Sequence, residues 1–589
     1  MATDAISETH IVRRQREVSE ALAATTMPDL LKQLYANRNI EDPVELDYSL
    51  GHLLDYRQLK DIDIASAITA DAIESGSRIV IIGDYDADGA TSTAVIMRAL
   101  RSFGHADVQY LVPNRFDFGY GLSPEIVDVA SELQPDLIIT VDNGIASIAG
   151  VERAAEYGIP VIVTDHHLAG DELPAAEAIL NPNQPGCGFP SKVIAGVGVA
   201  FYLMLACRAE LRERGYFESR EEPNMASLLD LVALGTVADV VPLDANNRLL
   251  VEQGLRRIRA GHCSAGIQAI MQVAGRQLTS VCPQDFGFAV GPRLNAAGRL
   301  EDMSLGIECL ITDDASRAST IAEELDTINR ERRNIEADML QQANACVDEQ
   351  LDSLGEREQW PSALCLYRYD WHQGIVGLLA SRVKERIHRP VVAFADEATG
   401  DSSETIKGSA RSIPGIHIRD ALDQVDRRIP GSIIKFGGHA MAAGLTLRTD
   451  ALSRFEETLQ EVINDMADAA VFDRSLESDG PVPDSNLHLE SAELLRRAGP
   501  WGQGFSEPLF DDTFEVVDWR IVGEKHLKLR LRTPGSKRMI DAIAFNHTDE
   551  DLPEGGRVHV AYRMDVNEYN GNRKLQLIIH HIGACIQEV

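Results

Sequence analysis

The stretch Ile81-Ile82-Gly83-Asp84-Tyr85-Asp86-Ala87-Asp88-Gly89 sets three carboxylates within five residues, directly after the apolar run Ile79–Ile82. Like charges this close repel and raise one another's pKa, so the pattern calls for a cation. Similar residues recur in similar settings. Asp142 follows an apolar run in "LIITVDNG", Asp165, His166 and His167 follow one in "VIVTDHH", and Asp239 ends another in "LVALGTVADVVPL". Gathered together, Asp84, Asp86, Asp88, Asp142, His166 and Asp239 form an oxygen-rich donor set without thiolates, suited to Mn²⁺ or Mg²⁺. The number of carboxylates suggests two ions, with an Asp such as Asp142 between them. Two ions a few Å apart activate a water and stabilise the leaving oxygen in phosphoester hydrolysis. Each piece alone has a plainer explanation. A D-x-D-x-D run is often a loop or a weak calcium motif, paired histidines are often a solvated turn, and an Asp after a strand is commonly a helix N-cap. Their joint occurrence, in order and each after an apolar run, carries the metal reading.

The elements around these residues must bring them to one place. Apolar, β-rich runs at 78–82, 107–112, 136–141, 160–164 and 177–181 alternate with helix-like segments at 90–103, 123–133 and 146–157. That is the signature of a parallel sheet covered by helices. Ligands of such sheets bind beyond the carboxyl ends of the strands, and Asp239 is expected at a further such end. Helical patterns dominate from about 196 to 350. Residues 314–350 contain no Gly or Pro, which predicts one long connecting helix. A second α/β pattern follows: strand 362–368, helix 374–388, strand 391–395, then the glycine-rich "KFGGHAMAAG" at 435–444. The Pro-containing acidic stretch at 477–486 reads as linker. From about 505 to 583 five short strands separated by turn signals predict a small barrel or sandwich.

Composition sets outer limits. The chain has 589 residues, too long for one core, so two to four domains are expected. The net charge of -35 argues against a nucleic-acid partner, unless basic residues cluster locally. "KHLKLRLRTPGSKR" at 525–538 is such a cluster, without a single acid. Within it Leu527, Leu529 and Leu531 alternate with Lys528, Arg530 and Arg532, the period of a strand with an apolar face inward and a basic face outward. A basic strand on a small barrel can track a nucleic-acid backbone; the plainer alternative is an edge strand protected by charge. The eight cysteines show no C-x-x-C spacing, which argues against a zinc ribbon and for a reducing compartment. No signal peptide and no membrane span is visible, so a cytoplasmic protein is expected.

Four segments, "GDYDADG", "VDNG", "DHH" and "GTVADVVPL", resemble the motifs of the DHH phosphoesterase superfamily, and "KFGGHAMAAG" resembles the GGH motif of its DHHA1 domain. "VPNRFDFGYGLS" at 112–123, "GPRLNAAGRL" at 291–300 and "KGSARS" at 407–412 narrow the resemblance to the RecJ family of bacterial exonucleases, over nearly the whole chain. The resemblance implies an N-terminal extension at 1–45 and a parallel-sheet DHH domain at 46–313. A connecting helix at 314–350 leads to a smaller α/β DHHA1 domain at 351–476. A linker at 477–504 then leads to an OB-fold β-barrel at 505–589. It also implies roles. Asp84, Asp86, Asp88, Asp142, His166 and Asp239 match metal-binding positions, with Asp142 as bridge. His167 matches the residue facing the scissile phosphate, and Asp165 orients the histidine pair. Arg293 or Arg299 would contact the scissile phosphate or its neighbour. Arg115, Ser409 and Arg411 match positions holding the 5′-terminal phosphate, and Gly437, Gly438 and His439 would let backbone approach the DNA.

The implied activity is metal-dependent 5′→3′ hydrolysis of single-stranded DNA to mononucleotides, with two Mn²⁺ or Mg²⁺ ions, in recombination and repair including mismatch repair. The implied partners are single-stranded DNA, single-stranded-DNA-binding protein and a helicase, with no membrane and a monomeric state. The alternative is a DHH-type phosphodiesterase for short oligonucleotides or cyclic dinucleotides. Such chains are generally shorter and lack the barrel. A non-catalytic scaffold would lack the ligands that are all present here.

Overall fold

The computed structural model describes residues 9–113, 121–354, 360–396, 404–523, 525–548, 552, 556–569 and 572–584. It divides into two compact units. One joins Arg14–Asn329 to Asp479–Val589, and the other joins the N-terminal residues up to Arg13 to Arg330–Ser478. The first described element, β1 (Thr9–Arg13), belongs to the second unit.

The sheet that carries the acidic motifs lies in the first unit. Its strands are β2 (Ile79–Ile82), β3 (Val108–Leu111), β4 (Leu137–Val141), β5 (Val161–Thr164) and β6 (Ala178–Leu180), all parallel, in the order β3-β2-β4-β5-β6. β2, β4, β5 and β6 are buried throughout, as continuous apolar strands between two layers of helices must be. The strand order reverses between β2 and β4. That is the topological switch point, where a crevice opens beyond the strand ends.

One expectation fails here. The apolar stretch before Asp239 is a helix, Leu229–Ala238, and Asp239 is its C-cap rather than the end of a strand. A short, continuously apolar run has the same pattern in a buried helix as in a buried strand. The long helix does form, over Ala315–Leu354.

The second unit holds a mixed sheet. Its strands are β7 (Leu364–Tyr367), β8 (Val391–Asp396), β9 (Thr405–Arg411), β10 (Ile433–Gly438) and β11 (Ala442–Arg448), in the order β10-β11-β9-β8-β7. The core face of the sheet packs Phe394, Ile406 and Leu445 with Phe455 and Leu459 of the helix Leu452–Met466. β12 (Arg474–Ser478) pairs in parallel with β1.

The segment read as a linker, 477–504, is structured and belongs to the first unit from Asp479 onward. It contains the helix Leu489–Arg497, and it buries Val482, Leu487 and Leu495 in the main core. Its prolines and acidic residues suggest a solvated connection, while the partners that bury it lie hundreds of residues away. The C-terminal strands β13 (Phe510–Val522), β14 (His526–Arg532), β15 (Ile540–Phe545), β16 (Arg557–Tyr569) and β17 (Asn572–Ala584) close into a five-stranded barrel, β13-β14-β15-β17-β16.

Candidate metal centre

The acidic loop starts where β2 ends. Asp86 caps the helix Ala87–Ser102, its Oδ1 accepting from the N–H groups of Asp88 (2.9 Å) and Gly89 (3.0 Å). Asp88 points the other way, to the amino end of the helix Gly196–Glu213. There its oxygens accept from Gly196 N–H (2.7 Å) and Val197 N–H (2.9 Å), and the positive helix end favours the charge. Asp142 stands at the switch point in the left-handed region, with φ of 60°. A short polar side chain tolerates that conformation.

These groups converge. Ligating atoms of Asp84, Asp86 and Asp142 lie within 4.8 Å of one another, as do those of Asp88, His166 and Asp239, and those of Asp142, His166 and His167. His166 Nε2 is 3.1 Å from Asp142 Oδ1 and 3.5 Å from Asp239 Oδ2. Burial, then the neighbouring Asp239 and Asp86, push the Asp88 carboxyl well up. Burial, then Asp88, Asp86, Asp239 and Asp84, do the same to Asp142. Asp239 is raised to about 7, by burial first and Asp86 second.

Metal ions fit this donor set. Asp239 Oδ2 is buried without a hydrogen-bond donor, and the repulsion among the carboxylates is what a divalent ion cancels. Glycines keep the space narrow and open to the ligands. A Cβ on Gly196 would come 2.7 Å from Asp142 Oδ1, and one on Gly235 would come 2.9 Å from Asp88 Oδ1.

Asp165 is differently employed. Its Oδ1 accepts from His166 N–H (2.7 Å), His167 N–H (3.1 Å) and His167 Nδ1 (2.7 Å), and its Oδ2 from Ile145 N–H (2.9 Å). Burial alone would raise its pKa, but the His167 bond and the charge of both histidines hold it at about 2. His167 is in turn lifted to about 9: burial opposes its charge, and the bond to Asp165 overcomes that. Asn181 and Asn183 fix the backbone behind, donating to the carbonyls of His167 (2.9 Å) and His166 (2.7 Å).

Comparison with known proteins meets this geometry. The model of the DHH family, N-terminal domain, matches residues 78–236, the DHHA1 domain matches 361–465, and the RecJ OB domain matches 478–581. The single-stranded-DNA-specific exonuclease RecJ of Escherichia coli (strain K12) is 52% identical over 574 residues, 97% of this chain and 98% of that protein. The chain belongs to the RecJ family. Among solved structures, RecJ of Thermus thermophilus in complex with Mn²⁺ is similar at a TM-score of 0.78 and 30% identity, covering 96% of this chain and 78% of that one. The complex of that protein with Mg²⁺ is similar at a TM-score of 0.73 and 28% identity, covering 96% and 76%.

The other residues that resemble RecJ positions fall into three places. Arg293 and Arg299 lie on the helix Gly291–Leu300. Arg293 is held by Asp326, at 2.9 Å from Nε and 2.7 Å from Nη2, and its Nη1 donates to Ala289 O (2.7 Å). Arg299 is in the last turn, next to Gly298, where a Cβ would come 1.9 Å from Tyr85 O of the acidic loop. On the same helix Asn295 Oδ1 accepts from Ala87 N–H at 2.7 Å. Asn295, Gly298, Gly196 and Gly235 serve the site without having been singled out in the sequence. The one signal is that of the three glycines inside helices, which cost stability unless something must come close.

In the second unit, Arg411 Nη1 donates to Ser409 Oγ (2.9 Å) on β9. A Cβ on Gly377 would meet Arg411 Nη2 at 2.8 Å and Ser409 Oγ at 2.9 Å, so this pair faces the amino end of the helix Val376–Ile387. Gly437, Gly444 and Ser409 are neighbours across β10, β11 and β9. Gly438 has φ of 144° at the turn, and His439 N–H donates to Ala442 O (2.8 Å). Arg115 lies outside the described residues.

On the barrel, Leu527, Leu529 and Leu531 of β14 are buried, and Lys528, Arg530 and Arg532 alternate with them. Arg532 is bound to Glu515 at 2.7 Å, and Arg530 is flanked across the sheet by Asp518 and Asp541.

Proposed function

We propose that the chain hydrolyses the phosphodiester bonds of single-stranded DNA from the 5′ end, releasing mononucleotides, in recombination and repair. The observation that carries this is the convergence of five carboxylates and His166 at the switch point of a RecJ-family sheet. Asp84, Asp86, Asp88, Asp142, His166 and Asp239 would hold two Mn²⁺ or Mg²⁺ ions, with Asp142 between them. Such ions supply a metal-activated water and charge for the leaving oxygen. His167, tethered through Nδ1 to Asp165, directs its other nitrogen to a phosphoryl oxygen. Arg299, beside the acidic loop, and Arg293 serve the phosphate.

The terminal 5′-phosphate is assigned to Ser409 and Arg411 at the amino end of the helix Val376–Ile387, a favourable place for an anion. The backbone at Gly437, Gly438 and His439 lets the strand come close, and Lys528, Arg530 and Arg532 track its phosphates across the barrel. No helix among the described residues is long and apolar enough to cross a membrane, and the described cysteines are free. We infer a cytoplasmic monomer that meets single-stranded-DNA-binding protein and a helicase.

The test is a single strand labelled separately at its 5′ and 3′ ends, incubated with Mg²⁺, with Mn²⁺ and with chelator. Immediate release of labelled mononucleotide from the 5′ end, with gradual shortening of the 3′-labelled strand and no reaction in chelator, is expected. The opposite order overturns the polarity. Turnover of dinucleotides alone would make the chain a short-oligonucleotide phosphodiesterase.

A further inference from the structure

Among the described residues of the catalytic unit, the three most exposed large apolar side chains are Phe288 (80%), Val240 (63%) and Leu168 (60%). Scattered single exposures need no explanation. Each of these three adjoins an element of the metal centre. Leu168 directly follows His167, and Val240 directly follows Asp239. Phe288 sits on the π-helical turn Phe286–Val290, which packs on the end of the helix that carries Asp239. A Cβ on Gly287 would lie 3.9 Å from Val237 Cγ1, and one on Gly291 would lie 3.3 Å from Ala238 Cβ.

Two of the three are presented by unusual backbone. Val240 is β-branched yet left-handed, with φ of 63°. Such a conformation persists only where the surroundings impose it. The surroundings are close by: Leu243 N–H donates to Gln503 O (2.7 Å), and Asn247 Nδ2 donates to Pro242 O (2.9 Å). Phe288 lies on a π turn, a departure from the α-helix that re-aims side chains and recurs at functional sites. The fold thus holds apolar groups in water beside the metal centre and draws no packing from them.

We propose that Phe288, Val240 and Leu168 form an apolar rim against which the nucleobase beside the scissile phosphate stacks, with Phe288 supplying the ring face. The assignment rests on the exonuclease reading above. Among the described residues, the carboxylates, imidazoles and arginines of the site address phosphate and metal, and these apolar groups are what it offers a base. An enzyme that removes every nucleotide in turn needs a contact indifferent to sequence, and every base offers a π face. An unpaired base can turn that face to Phe288, while a base inside a duplex keeps it against its neighbours.

The experiment uses the full chain with Mn²⁺ and two 5′-phosphorylated oligothymidylates, one ordinary and one with abasic tetrahydrofuran residues at its first three positions. kcat and KM are measured for the wild type, Phe288→Ala and Phe288→Trp, with calorimetric Mn²⁺ binding as the check that each variant is folded. The wild type should lose roughly tenfold in kcat/KM on the abasic strand. Phe288→Ala should show a similar loss on the ordinary strand, mostly in KM, and little further loss on the abasic one. Phe288→Trp should keep the wild-type discrimination. An active wild type that treats both strands alike overturns the proposal, as does a Phe288→Ala variant that still discriminates. A wild type that cuts neither strand with Mn²⁺ overturns the exonuclease reading instead.

Discussion

Asp165 has four hydrogen bonds from four donors, three on one oxygen and one on the other. Nothing in that arrangement is left for a metal, and everything in it orients His167. In Asp165→Asn one of those donors meets an amide N–H, so the imidazole loses its fixed orientation while the metal ligands stay in place. We expect kcat to fall by roughly 10²- to 10⁴-fold, the usual worth of a positioned acid–base group, with unchanged Mn²⁺ stoichiometry by calorimetry. A lost metal equivalent would make Asp165 a ligand. Asp239 adds a pH dependence. Its carboxyl is raised to about 7 in the metal-free protein, by burial and then Asp86, and a ligand must give up its proton. Below that pH protons compete at Asp239, as they do at the raised Asp88 and Asp142 carboxyls, so Mn²⁺ affinity should fall with falling pH. Flat affinity through pH 7 would mean that Asp239 gives up its proton well below that pH. At this scale the sequence was informative because several carboxylate and imidazole motifs in order, each after an apolar run, have few joint uses. Gly196 and Gly235 were silent, since each makes room for an Asp from a different part of the chain.

The helix Gly291–Leu300 is the element that clamps the acidic loop. Gly298 allows it to touch Tyr85 O, and Asn295 receives the first N–H of the helix that begins at Ala87. Asn295→Ala leaves that N–H without its acceptor, at a cost of about 1–3 kcal/mol if water does not replace it. Gly298→Val forces the helix off the loop altogether. Both variants should bind Mn²⁺ more weakly, Gly298→Val more so, and titration calorimetry reads both. Unchanged affinity in both would mean that the loop holds its own shape. The motif "GPRLNAAGRL" was legible as a unit and its arginines drew attention as phosphate ligands. The structure adds a further task for the same helix: Asn295 and Gly298 clamp the acidic loop, and Arg293 pairs with Asp326. Their targets are some 200 residues earlier, as the Asn295–Ala87 separation of 208 records, and no local pattern reports that. The mistaken strand before Asp239 has a related cause, because a run buried on every side carries no periodicity.

Within the first unit, the chain from Asp479 onward is fixed to the catalytic part by an ion pair with almost no exposure. The side chains of Arg38 and Asp479 are 2% and 1% exposed and 2.9 Å apart. Asp479 also receives Asn37 Nδ2 (3.0 Å) and Leu509 N–H (3.2 Å), and Arg38 lies 5.0 Å from the centre of the Trp501 ring. Trp501 stacks on Phe505 at 5.1 Å, and Arg248 covers Phe505 from the helix Ala245–Arg259 at 4.4 Å. The same loop supplies the Gln503 carbonyl that Leu243 uses, four residues after Asp239. This is why 477–504 is not a free linker, and a linear reading misses it because Arg38 and Asp479 are 441 residues apart. Removing one member of such a pair strands a buried charge, so Asp479→Ala should lose about 3–5 kcal/mol. Calorimetric unfolding would show the barrel and the catalytic sheet melting separately in this variant and together in the wild type. Replacing both members, Arg38→Met with Asp479→Leu, removes the stranded charge and should recover most of that stability. A double variant as unstable as the single one would mean that the hydrogen bonds to Asn37, Leu509 and Ser506, rather than the charge pair, fasten the barrel to the sheet.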